Sequence, residues 1–377
     1  MIYFHIPFCK QACHYCDFHF STSLKYKDEL LKALQKEMTL RARDLADNTI
    51  QSIYFGGGTP SLLTAGEIEQ LIGQVAAHFE IASDAEITLE ANPDDLDNAK
   101  VQALRHTPIN RFSIGIQSFY EEDLRWMNRA HRASEAEASI KRVQDAGFEN
   151  ITADLIYGYP LLTDAKWKSN MEKLIAFDIP HISSYAMTVE KKTALAHFIR
   201  NGKTPPIQEA QSAKQMQMLI DTLTENGFAH YEISNFAKNG QYAKHNTAYW
   251  QGKHYLGIGP SAHSFNGKSR SWNVANNARY IEGITTENPY IETEELSNEE
   301  QFNEYIMTAL RTMWGVDLEK ITHDFDTDHK QYLLSNIQPF LSRQEMELVQ
   351  DRYLILTMKG KLLADYIASE LFVVDDQ

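Results

Sequence analysis

The sequence predicts an α/β fold built on a parallel sheet, and three observations carry that reading. Six short runs rich in β-branched and aromatic residues recur through the first half of the chain. Amphipathic stretches of helical period separate them, a pattern that demands crossover connections between parallel strands. Residues with chemical potential sit at the C-terminal ends of the runs, where the loops of a parallel α/β barrel converge. Periodicity alone leaves an open barrel and a doubly wound sheet both standing.

The β-rich runs are Ile2–Ile6, Ser52–Phe55, Glu86–Ala91, Arg111–Gly115, Ile151–Ile156 and His181–Ala186. Between them, residues 25–42 carry Leu30, Leu31, Leu34 and Met38 at helical spacing, and residues 65–79 place Ile68, Leu71, Ile72, Val75 and Ala76 on one face. A third helix over 133–146 ends at Gly147, a natural residue just past a helix C-terminus. Residues 207–226 form another, with Met216, Leu219, Ile220 and Leu223 inward and Asn226-Gly227 as its stop. The segment 228–285, rich in Gly, Asn and aromatics, interrupts the alternation and reads as ordered loops and short strands. Glu292–Glu299 reads as a capped helix start and a boundary, followed by a small helical unit with one hairpin-like piece at Tyr353–Met358.

Composition excludes several classes. The 377 residues are 43% hydrophobic and 23% charged, and no run of about 18 apolar residues spans a membrane. The N-terminus lacks the basic and apolar regions of a signal peptide. A formal charge of −15, without a basic stripe, argues against a nucleic-acid binder. All three cysteines, Cys9, Cys13 and Cys16, lie in the stretch HIPFCKQACHYCDF, which argues for a reducing compartment and hence a cytoplasmic location.

Thiolates are soft ligands that select zinc, copper(I) or iron–sulfur clusters. A structural zinc wants four closed ligands, which His14 or His19 could complete. Three thiolates in one compact loop could instead hold three corners of a [4Fe–4S] cube and leave one iron for another ligand; a redox role is the third option. The turn Gly56-Gly57-Gly58-Thr59-Pro60 is no P-loop, since no Gly-Lys-Ser/Thr follows. It is either a tight βα turn or a backbone surface with uncovered N–H and C=O groups. Glu90 and Asp154, at strand ends, either cap the helices that follow or face one mouth, where a ribose diol or an ammonium needs acceptors.

These residues together match a family. Cys-x3-Cys-x2-Cys with Tyr15 before the last cysteine, followed by GGGTP, resembles the radical S-adenosylmethionine (SAM) superfamily. Tyr3-Phe-His-Ile-Pro-Phe-Cys9, Ser113-Ile-Gly-Ile-Gln117-Ser-Phe, Asp154-Leu-Ile-Tyr-Gly-Tyr-Pro160 and His181-Ile-Ser-Ser-Tyr185 are similar to its HemN/HemW group, which holds oxygen-independent coproporphyrinogen III oxidases and haem chaperones. The resemblance implies a partial (β/α)6 barrel over residues 1–205, an extension over 206–290 and a small, mostly helical C-terminal domain over 291–377. It implies that Cys9, Cys13 and Cys16 ligate three irons of a [4Fe–4S] cluster and that SAM chelates the fourth. Gly57, Gly58 and Thr59 would contact the methionine part of SAM, with Glu90 near its amino end. Gln117, Arg129, Asp154 and Ala186 fall where the family holds the nucleoside and carboxylate, and Tyr3 and Tyr15 would pack near cluster and cofactor. An electron from the reduced cluster would cleave the sulfonium bond to give methionine and a 5′-deoxyadenosyl radical.

Two departures decide within the group. The oxidases continue their motif to a fourth cysteine and carry a long N-terminal extension; here Asp17-Phe18 follows Cys16 and the chain begins eight residues before Cys9. Both features resemble the HemW branch. So does His245-Asn246-Thr-Ala-Tyr249-Trp250, which matches that branch's HNxxYW motif, whose histidine is implicated in haem binding. The resemblance therefore implies a haem chaperone with cluster, SAM and haem, with His245 as the haem ligand. Its implied partners are an electron donor and haem-accepting proteins such as respiratory enzymes, with membrane contact if the acceptor is membranous; a cluster-promoted homodimer is left open. The competing expectations are a radical SAM oxidase of coproporphyrinogen III and a zinc-stabilised binding module.

Overall fold

The computed structural model describes residues 1–374. Its centre is a nine-stranded sheet. The first six strands are β1 (Ile2–Ile6), β2 (Thr49–Gly57), β3 (Glu80–Ala91), β4 (Arg111–Gln117), β5 (Ile151–Tyr157) and β6 (His181–Ala186). They are all parallel and lie side by side in sequential order. A doubly wound sheet reverses its strand order at a switch point. No reversal occurs here, so the arrangement is that of an open (β/α)6 barrel, as the resemblance implied.

The intervening helices form where local signals direct them. The helix Ala65–His78 starts at a capping box, in which Thr64 accepts from the Glu67 N–H at 3.2 Å and the Glu67 carboxylate accepts from the Thr64 N–H at 2.7 Å. It buries Ile68, Leu71, Ile72 and Val75. Helix Ala133–Asp145 is followed by Gly147 at φ +86°, the left-handed residue the sequence anticipated. Strand β3 begins six residues earlier than its apolar pattern suggested, because Glu80 and Ile81 pair with Thr49 and Ile50 across a register shift. Pairing, not burial, orders that polar segment.

The irregular segment after residue 228 extends the same sheet. Strands β7 (Ala229–Glu232) and β8 (Asn235–Ala237) form a hairpin whose second strand pairs antiparallel with β6. Strand β9 (Leu256–Ile258) pairs parallel with β1 at the other edge. Both exposed edges of the six-stranded unit are thus covered, which removes free backbone groups from solvent. The stretch Leu256-Gly-Ile258 is held from below by Glu37. This fully buried carboxylate accepts from Gly259 N at 2.8 Å and Asn273 Nδ2 at 2.7 Å, pairs with Arg41 at 3.0 Å and bonds the Tyr280 hydroxyl. Nothing in the periodicity of helix Lys27–Arg41 singled Glu37 out.

Two hydrophobic clusters divide the core. One spans residues from Ile2 to Ile284; the other gathers residues from Phe302 to Leu371. In the Glu292–Glu299 stretch, the first residues are not helical: Ile291–Glu295 pairs antiparallel with Ser269–Asn273. The helix begins only at Asn298, behind a Ser297–Glu300 capping box. The C-terminal unit is mostly helical and holds one small sheet, in which Tyr353–Leu356 sits between Val316–Asp317 and Met346–Val349. Among the described residues, no helix is long and apolar enough to cross a membrane.

Candidate functional site

A cavity of about 520 Å³ opens at the C-terminal end of the six parallel strands. Residues of strands β2 to β6 face it: Tyr54 on β2, Glu90 on β3, Ser113 and Gly115 on β4, Asp154 on β5 and Tyr185 on β6. The cysteine loop after β1 forms one wall, and Cys9, Cys13, Tyr15 and Cys16 all line it. Of the residues implicated by the sequence, Gly57, Gly58, Thr59, Glu90, Gln117, Arg129, Asp154 and Ala186 line the same cavity. Tyr3 does not. It lies behind Tyr54, with ring centroids 6.1 Å apart, and its hydroxyl meets His5 Nδ1 at 3.2 Å.

Each element positions its side chains for an identifiable reason. Gly57 has φ +107°, and a Cβ there would strike the His5 ring at 2.7 Å; one on Gly58 would strike the Phe8 carbonyl at 2.7 Å. The turn therefore needs glycine to lie flat against the loop after β1. Of the two readings, a tight turn or uncovered backbone groups, its N–H groups favour the first: Gly57 N donates to Glu90 Oε2 at 3.2 Å, Gly58 N to Ile6 O at 2.9 Å and Thr59 N to Phe8 O at 2.7 Å. What the turn can offer a ligand is acceptors, which suits an ammonium. Gln117 is a non-glycine residue at φ 63°, and its Oε1 is buried without a partner. Arg129 binds Asn92 Oδ1 at 2.6 Å and the Gly115 carbonyl at 2.9 Å and reaches Cys13 Sγ at 3.5 Å, while its Nε stays unpartnered. Strained backbone and unsatisfied buried polar atoms in one cavity mark a site shaped for a ligand.

The carboxylates do not cap helices. Glu90 accepts from the Tyr54 hydroxyl at 2.7 Å, and Asp154 from the Ser113 hydroxyl at 3.3 Å. Burial pushes Glu90 up to about 7, with Asp154 adding to the shift; burial likewise pushes Asp154 up to about 6, against the pull of Ser113 and Arg111. Burial also raises the Cys9 thiol, and raises Cys16 to about 11. Such thiols surrender their protons to a metal far more readily than to water. Among the described residues, no three His, Cys, Asp or Glu side chains gather closely enough to hold a single ion. Three thiols on one wall of a roomy cavity are a donor set that fits a thiolate-held iron–sulfur cluster.

The HNxxYW segment closes the opposite end. Helix Lys244–Trp250 lies across the N-terminal end of the barrel interior, and Asn246 lines the cavity floor. His245 is fully buried; Ser52 Oγ meets its Nδ1 at 2.8 Å, and Tyr249 Oη meets its Nε2 at 2.9 Å. Burial pushes its pKa down to about 3, so the ring is neutral. Both nitrogens are occupied, so in this conformation the imidazole presents none to a haem iron. The first two N–H groups of the helix end on one buried carboxylate: Glu86 accepts from Lys244 N and His245 N, each at 3.0 Å. Glu86 also pairs with Arg111 at 3.5 Å, and Arg111 lines the cavity. Sequence reasoning missed Tyr54, Arg111 and Ser113. Their signal was the two-residue alternation on β2 and β4, which places them on the inward face.

Fold, cysteine loop and glycine turn define a radical SAM protein. The model of the radical SAM superfamily matches residues 3–174, and that of the HemN C-terminal domain matches residues 296–363. The chain is 32% identical over 368 residues to the heme chaperone HemW of Bacillus subtilis (strain 168), covering 97% of both chains. It is 33% identical over 375 residues to the heme chaperone HemW of Lactococcus lactis subsp. lactis (strain IL1403), covering 99% of this chain and 97% of that one. The chain belongs to the HemW family. In fold it is similar to the Escherichia coli coproporphyrinogen III oxidase HemN, with a TM-score of 0.85 over 99% of this chain and 89% of that one at 23% identity.

Proposed function

We propose that this chain is a haem chaperone that binds a [4Fe–4S] cluster, SAM and haem and passes haem to a haem-dependent acceptor, such as a respiratory enzyme. The observation that carries the reading is the full-length similarity to relatives named heme chaperone HemW. Cys9, Cys13 and Cys16 would hold the cluster, and SAM would occupy its open corner. Bound there, the pair supplies one-electron chemistry at the sulfonium. Glu90 and the turn carbonyls would accept from the ammonium of SAM, Arg129 would meet its carboxylate, and Asp154 and Gln117 would take the ribose and base. Titration of the anaerobically reconstituted protein with hemin tests the function: a shifted Soret band saturating at one haem per chain is expected, followed by transfer to a haem-free acceptor. Absence of retained haem sinks the reading, and conversion of coproporphyrinogen III to protoporphyrinogen under reducing conditions would replace it with the oxidase.

The carboxylates give SAM binding a pH dependence. Each has a raised pKa in the folded chain, so its contribution to stability is complete below the unfolded value near 4 and is lost as pH rises through 6 to 7. Tyr3, Tyr54, Tyr185, Arg111 and Arg129 are the other titratable or charged groups around the pair. Cationic SAM favours the ionised carboxylates, so its affinity should rise between about pH 5.5 and 7, below the value near 8 at which an α-amino group loses half its charge. Calorimetric titrations across that range are expected to show the rise in the wild type and a flatter profile in Glu90→Gln. Equal profiles remove Glu90 from the contact.

A further inference from the structure

The lining of the cavity includes exposed aromatic side chains beyond the residues assigned to cluster and SAM. Phe18, immediately beyond the cysteine motif, is 66% exposed, and Tyr185, at the end of β6, is 45% exposed. Both line the cavity, as do Phe20 and Met187. Val189, four residues beyond Tyr185 in the chain, is 38% exposed. Lys191 and Lys192 follow within three residues in the chain, both exposed. Asp17 also lines the cavity, and the exposed Glu190 lies beside Lys191 in the chain.

We propose that haem docks across the mouth of this cavity, its porphyrin face on Phe18 and Tyr185 and its propionates toward Lys191 and Lys192. The inference rests on the haem-chaperone reading and names where the cargo is first held. A flat apolar macrocycle with two carboxylates at one edge needs aromatic faces and adjacent cations; the cavity lining supplies the first, and the exposed segment that follows Tyr185 in the chain supplies the second. His245 cannot serve this first contact as folded, because it lies fully buried with both ring nitrogens bonded. Haem on the rim would also cover the cavity that holds the cysteine loop.

The test is hemin titration of the cluster-loaded full chain, followed by Soret absorbance. Phe18→Ala/Tyr185→Ala is expected to weaken hemin by about tenfold or more, through loss of two aromatic contacts. Lys191→Glu/Lys192→Glu should weaken hemin severalfold yet leave the dimethyl ester of haem, which lacks the carboxylates, unaffected. Tyr366→Ala, which removes an aromatic 51% exposed in the C-terminal unit, should change neither. All substituted side chains are exposed, and unchanged melting temperatures and iron content show that the variants fold. Wild-type affinity in both rim variants overturns the docking site and leaves the chaperone reading intact. So does equal weakening by Tyr366→Ala, which marks nonspecific adsorption. If the wild type itself retains no haem, the chaperone reading fails, and the docking site with it.

Discussion

Serine at Cys9, Cys13 or Cys16 is expected to abolish cluster retention, each variant alone having nearly the full effect. The chain holds no fourth cysteine that could substitute. A serine oxygen is a hard, weakly acidic ligand where iron–sulfur chemistry selects a soft thiolate. Thr59 Oγ1 sits 3.4 Å from Cys9 Sγ and Arg129 Nη1 3.5 Å from Cys13 Sγ, so two thiols already have donors suited to a thiolate. The fold should be indifferent. All three cysteines are partly exposed and none belongs to either hydrophobic cluster. Metal-free variants should therefore melt within about 2 °C of the metal-free wild type. Iron and acid-labile sulfide after anaerobic reconstitution measure the effect. A variant that keeps the wild-type content of both removes its cysteine from the ligand set.

The barrel was legible because its signals are local: strand composition, helical period, capping boxes and glycine stops all lie within a few residues of the elements they set. The cavity was legible for a related reason. In a parallel barrel the strand ends converge, so Glu90 and Asp154 could be placed together without knowing any distance. What the sequence hid is what depends on contacts between distant segments. Strand β9 has only three residues and joins β1 from more than 250 positions away. Glu37 and Glu86 sit in helix and strand like any charged residue, yet each is the buried hub of groups brought in from beyond residue 240. The HNxxYW motif shows the same limit. Its residues were recognisable, but only the fold reveals that His245 turns inward while Asn246 faces the cavity.

Replacing Glu86 by alanine should destabilise the protein by about 3–5 kcal/mol, a large share of the 5–15 kcal/mol typical of a native domain. Glu86 and Arg111 expose 3% and 2% of their side chains, so removing the carboxylate strands a guanidinium in the barrel interior. The same substitution uncaps the helix Lys244–Trp250, whose first two N–H groups lose their acceptor. Urea denaturation should report the global loss, and hydrogen exchange should accelerate most at Lys244 and His245. Glu86→Gln, which keeps an acceptor oxygen but not the charge, should fall between wild type and alanine. The double variant Glu86→Leu/Arg111→Met should regain much of the loss, because no buried charge is left unpaired. It should not regain protection at the helix start. That separation distinguishes a carboxylate that merely neutralises Arg111 from one that also latches the His245 helix to the barrel. If the double variant restores both stability and protection, the latch fails. If it restores stability alone, weakening this one contact is enough to loosen the helix that keeps the HNxxYW histidine turned inward.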